Sequence, residues 1–133
     1  MRFARAGLVA MALAGPASAQ VPLNENEHIT TSLVAAQVGD MIRKGCGTIW
    51  ARYLVVFEKM GELEAYARAE GYTEDEVRAF LRDKTEKARI RALAEAYLAE
   101  AGLDPAAESS YCAVGEQEIA SGTLAGSLLR SWK

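Results

Sequence analysis

Residues 73–101 read TEDEVRAFLRDKTEKARIRALAEAYLAEA, and this stretch decides the fold. It opens on a capping box: the Thr73 hydroxyl can accept from the backbone three residues on, and the Glu76 carboxylate can reach back to the Thr73 N–H. The acids Glu74, Asp75 and Glu76 also suit the positive end of a helix dipole. Neither Gly nor Pro appears until Gly102. The pattern predicts one unbroken helix over 74–101, roughly 40 Å long at 1.5 Å per residue.

The segments on either side repeat the theme. Downstream, Leu103-Asp104-Pro105 reads as a turn, and a further helix is expected from Pro105 or Ser109 to Ala120. Thr123 to Trp132 reads as a last amphipathic piece, and Gly122-Thr-Leu-Ala-Gly126 has the small-xxx-small spacing that lets backbones pack closely. Upstream, a second helix is expected from Thr48 to Glu70, with Ile49, Tyr53, Leu54, Phe57, Met60, Leu63 and Ala67 as its apolar stripe. A first helix is expected from Glu27 to Lys44, capped by Asn24 or Asn26, its stripe running through Ile29, Leu33, Val34, Val38, Met41 and Ile42. Residues 20–26 read as an extended start. No stretch alternates with period two for long enough to argue a strand. The expected fold is all-α, a small helical bundle of four to five helices in a single domain over 27–133.

Residues 1–19 have a different character. Arg2 and Arg5 precede the apolar run Leu8–Ala14, which Gly15-Pro16 interrupts before the small-x-small site Ala17-Ser18-Ala19. That order is a secretory signal peptide cleaved after Ala19. Its apolar run is too short to span a bilayer, which takes about 20 residues. Without it the chain holds 13 Lys and Arg against 18 Asp and Glu, net −5. A balance of that sign disfavours nucleic acid and anionic lipid.

Export places the chain in an oxidising compartment, periplasmic or secreted. There the two cysteines, Cys46 and Cys112, are most simply one disulfide. A metal pair would want more Cys or His than the single His28, and redox catalysis would want a C-x-x-C. No cofactor or metal site is expected. Nor does any catalytic constellation emerge: the acids Glu62, Glu64, Glu70, Glu74, Asp75 and Glu76 crowd one turn, but they fit solvated faces and caps.

Charge is distributed in blocks. Residues 78–91 hold six bases (Arg78, Arg82, Lys84, Lys87, Arg89, Arg91) against two acids, while residues 95–118 hold six acids and no base. Glu74–Arg78 and Asp83–Lys87 are spaced as i,i+4 pairs within the helix. The six bases are also the candidate docking face for an anionic partner or lipid headgroup, with Arg82 and Arg89 two helical turns apart on one side.

Tyr66-Ala-Arg68 with Glu70-Gly-Tyr72, then Asp83-Lys-Thr-Glu-Lys-Ala-Arg89, Ala96-Tyr-Leu98, Tyr111-Cys112 and Leu128-Leu-Arg130 form an ordered string across the chain. In this it resembles an alphaproteobacterial family of short exported proteins, domain-of-unknown-function family 5333 (DUF5333). The resemblance implies the same export signal and paired cysteines, and it implies no catalytic residues. By architecture alone the chain is also similar to periplasmic acid-stress chaperones, which are small, helical and held by one disulfide. The expected function is therefore a non-catalytic interaction or accessory protein, its partner an unknown protein, for example an envelope complex. An acid- or stress-responsive chaperone is the alternative, and an enzyme working through carboxylates ranks last.

Overall fold

The computed structural model describes residues 20–133. The signal-peptide reading of residues 1–19 lies outside them. Six α-helices are present among the described residues: α1 Glu27–Gly45, α2 Tyr53–Ala69, α3 Glu74–Arg82, α4 Lys84–Glu100, α5 Glu108–Ser121 and the one-turn α6 Leu124–Ser127. The all-α bundle holds, with one helix broken and one small sheet added.

The break falls inside the deciding stretch. Thr73 caps α3 with both halves of its capping box formed, as its sequence implies. The helix nevertheless stops at Arg82, because Asp83 takes an extended backbone and accepts from the Glu86 N–H, becoming the N-cap of α4. Asp-x-x-Glu is an N-cap signal in its own right. With no Gly or Pro beside it, it does not stand out from the helix-forming residues around it. Asp83 is therefore a cap, and the Asp83–Lys87 ion pair is not formed among the described residues.

Two short strands replace expected helix. Ile49–Ala51 (β1) pairs antiparallel with Leu129–Ser131 (β2), Ile49 opposite Ser131 and Ala51 opposite Leu129. Strands of three residues are too short for a period-two pattern to show. The start of the second helix moves from Thr48 to Tyr53, and the last amphipathic piece becomes α6 followed by β2. Residues 20–26 are not simply extended either. They contain a 3-10 turn, Leu23–Glu25, and Asn26 caps α1 by accepting from Ile29. Tyr72 donates to the Val21 carbonyl and Gln20 to that of Glu70, tying the segment down.

Helix α1 is the centre of the main core. Ala35, Val38, Ile42 and Cys46 pack against Ala94 and Leu98 of α4, Val114 of α5, Ala125 of α6, and Ile49 and Leu129 of the strands. A smaller core joins Ile29 of α1, Ala67 near the end of α2, and Tyr72. Cys46 and Cys112 are bonded across 66 residues, locking the end of α1 to α5. A ring lies beside this bond: a Cβ on Gly45 would stand 2.3 Å from the Tyr111 ring, so only glycine admits that contact. Gly126 of the small-xxx-small motif is likewise required. A Cβ there would come within 2.0 Å of the Glu118 carbonyl oxygen, so α6 lies directly against the backbone of α5.

Candidate interaction surface

Helix α2 is packed at one end only. Its second half enters the smaller core through Leu63, Tyr66 and Ala67, whereas no residue from Tyr53 to Met60 belongs to either core. Its first turns, YLVVF, are apolar all round. Val55 and Val56 are half-buried against the protein, and the opposite side faces outward. Leu54 is 87% exposed, Phe57 79%, Tyr53 69% and Met60 57%. These positions, with Gly61, recur at three- and four-residue spacing and make one stripe.

The sheet extends that surface at the N-terminal end of α2. Alternation along β1 buries Ile49 and turns Trp50 out, three residues before Tyr53. Strand pairing sets Trp132 beside it, the two indoles meeting edge to face at 5.4 Å. The Arg130 guanidinium lies 5.8 Å from the Trp132 ring centre. Trp50 and Trp132 are both exposed. A water-soluble surface seldom carries four aromatic side chains and two aliphatic ones so close in sequence and fold, and an apolar patch of this kind marks a contact site. Of the apolar positions that share helical spacing in the sequence, Leu63 and Ala67 enter the smaller core, whereas Tyr53, Leu54, Phe57 and Met60 lie on the outer side of α2, and spacing alone does not say which of two apolar faces turns inward. The signal available was the second apolar face itself, since a helix apolar all round needs covering on both sides.

The six bases fall on two helices. Arg78 pairs with Glu74 at 3.1 Å and Asp75 at 3.7 Å, Arg89 with Glu86 at 2.8 Å, and Arg91 with Glu95 at 3.0 Å. Arg89 also reaches Thr30 of α1 at 3.5 Å. Arg82, Lys84 and Lys87 flank the break at Asp83, so the row is not a single helix face, and Arg82 and Arg89 do not share one side of one helix.

The acids of the α2–α3 turn are divided among separate tasks. Glu62 bonds Lys59, Glu74 and Asp75 hold Arg78, and Glu76 completes the cap. Among the described residues no three His, Cys, Asp or Glu side chains converge as metal ligands would. His28 is exposed and rests on the Tyr66 ring at 4.2 Å. One carboxylate is buried: Glu118 accepts from the hydroxyls of Tyr97 at 2.8 Å and of Thr123. Burial, and then the Glu118 carboxylate, push the Tyr97 hydroxyl above its ordinary pKa. Asp40 lies between Arg43 at 2.5 Å and Lys44 at 2.7 Å. Its partial burial works against ionisation, but the bonds and charge of Lys44 and Arg43 outweigh it and hold the carboxyl below its ordinary value.

No described helix is long and apolar enough to cross a membrane. No curated protein and no solved structure matches the sequence. The profile of a family of unknown function, DUF5333, matches residues 21–130, nearly all of the described chain, and the protein belongs to that family.

Proposed function

We propose that this is a non-catalytic interaction protein of the cell envelope that works by presenting the outer face of α2 to a partner. The observation that carries the reading is the exposed apolar stripe Tyr53, Leu54, Phe57 and Met60, flanked by Trp50 and Trp132. Envelope placement rests on the signal-like order of residues 1–19 and on a disulfide suited to an oxidising compartment.

The energetics favour a covered face. Burying a side chain of the Leu or Phe class stabilises by roughly 1.5–3 kcal/mol, and the centre of such a patch is where contact energy concentrates. In-cell photo-crosslinking tests this. A benzophenone amino acid replacing Phe57 should give a discrete adduct, and the same probe replacing Ala79, exposed on α3, should not. Equal labelling at both positions, or none at 57, would remove the face from the function.

A further inference from the structure

We infer that the occupant of the α2 face is a second copy of this chain, the two α2 helices packing antiparallel about a twofold axis at Phe57. The inference rests on the reading of that face as a contact surface, and names its partner. Three separate observations point the same way.

The first is area. Trp50, Tyr53, Phe57 and Trp132 are on average about two-thirds exposed, which for aromatic side chains amounts to about 500 Å². Leu54 and Met60 add to it, approaching the ~800 Å² per partner of a stable protein–protein contact.

The second is Gly61. It lies in the interior of α2, where glycine is the least favoured residue but proline. Its φ is not left-handed, and a Cβ there would meet nothing within 4 Å, so nothing among the described residues calls for glycine. In an antiparallel pair centred on Phe57, residue 61 faces residue 53. The space above Gly61 then receives the partner's Tyr53, Leu54 faces the partner's Met60, and Phe57 faces its own copy. Glycine in a helix interface allows such close approach.

The third is charge. Exposed Arg52, Arg130 and Lys133 stand at the N-terminal end of the stripe. Beyond Gly61 the same face carries exposed Glu64 and, one turn further, Arg68. The antiparallel register sets Glu64 opposite the partner's Trp50, whose strand neighbour is Arg130, so an acid of each copy meets the basic end of the other. An isologous contact needs that self-complementarity. A net charge of −5 after residue 19 opposes an anionic membrane as the occupant.

The protein, produced from the full-length gene and exported, should sediment at equilibrium with twice its chain mass at micromolar concentration. Phe57→Glu should halve that mass while leaving its helical circular dichroism unchanged. Gly61→Leu, which has room within its own chain, should weaken association at least tenfold without loss of fold. Phe57→Cys should form a covalent dimer on oxidation, and Ala79→Cys should not. A monomeric wild type, or a Phe57→Glu variant that stays dimeric, overturns the inference. Adducts from the benzophenone at 57 separate the two levels. An adduct of twice the chain mass supports the second copy. An adduct to a foreign protein, or flotation of the protein with anionic vesicles, overturns the second copy and leaves the contact surface standing. No adduct at all overturns both.

Discussion

Substituting alanine at Gly126 and at Gly115 tests the packing of the bundle's closing end, since the two changes are chemically identical and meet different obstacles. At Gly126 the added Cβ would lie 2.0 Å from the Glu118 oxygen, 2.3 Å from its carbonyl carbon and 2.8 Å from the Ile119 nitrogen. All three are backbone atoms within α5, fixed by its hydrogen bonds. An ordinary contact begins near 3.4 Å, so α6 must withdraw by about 1.4 Å. Ala125, Leu128 and Leu129 would be drawn from the core with it. Overpacking of that kind costs about 3 kcal/mol or more, of which better helix propensity returns at most ~1 kcal/mol. At Gly115 the Cβ would meet side-chain atoms only, Ile49 Cδ1 at 2.3 Å, the end of a side chain that can turn aside, and Ile42 Cγ2 at 2.6 Å, a branch methyl that moves with its helix backbone by a few tenths of an ångström. The expected net losses are about 2–4 kcal/mol for Gly126→Ala and about 1 kcal/mol for Gly115→Ala. Urea unfolding followed by circular dichroism measures both, and the larger loss should lower Tm by roughly 10 °C or more. A Gly126→Ala protein within 0.5 kcal/mol (about the scatter of ordinary surface substitutions) would refute the close approach of α6 to α5.

Removing the disulfide as Cys46→Ala with Cys112→Ala should destabilise by about 4 kcal/mol, the chain-entropy value for a loop of this length, read by the same unfolding curves. Asp83→Ala should cost about 1 kcal/mol, as should Thr73→Ala, because each removes the N-cap of a separate helix; a neutral Asp83→Ala would mean that α3 and α4 can fuse. Asp40 has a lowered folded-state pKa, so its contribution is present above the unfolded value near 3.8 and is lost as pH falls through the folded one. Stability of the wild type should therefore drop below about pH 4 more steeply than that of Asp40→Asn, and parallel acid curves would contradict the Asp40–Arg43–Lys44 cluster.

How far the fold was legible depended on whether its signals were local. The helix start at Thr73 was readable from its capping box, and that of α1 only as far as Asn24 or Asn26, of which Asn26 is the cap; the glycines that end helices were readable at Gly71 and Gly102, both at positive φ, whereas Gly122, also at positive φ, read equally as a bend. The disulfide was legible from the even cysteine count in a chain whose first residues read as an export signal. The strands were not readable, because β1 and β2 are three residues each and exist only by pairing across the length of the chain. The break at Asp83 was written as an Asp-x-x-Glu cap, but uniform helix propensity on both sides hid it. The direction of the α2 face was not legible for a different reason. Periodicity reports that a stripe exists, while its direction is set by what the rest of the chain can reach, and α1 reaches Ala67 but not Phe57. The basic block was visible as composition, yet half of it is engaged with acids on its own helices.

The most direct test of the exposed α2 face as a contact surface is hydroxyl-radical footprinting, comparing the protein in intact envelopes with the purified protein at high dilution. The account predicts that Trp50, Tyr53, Phe57, Met60 and Trp132 are oxidised when dilute and protected in the envelope, while exposed Leu81 and Leu93, outside the face, react alike in both. Equal oxidation of the α2 face in the two states would contradict it.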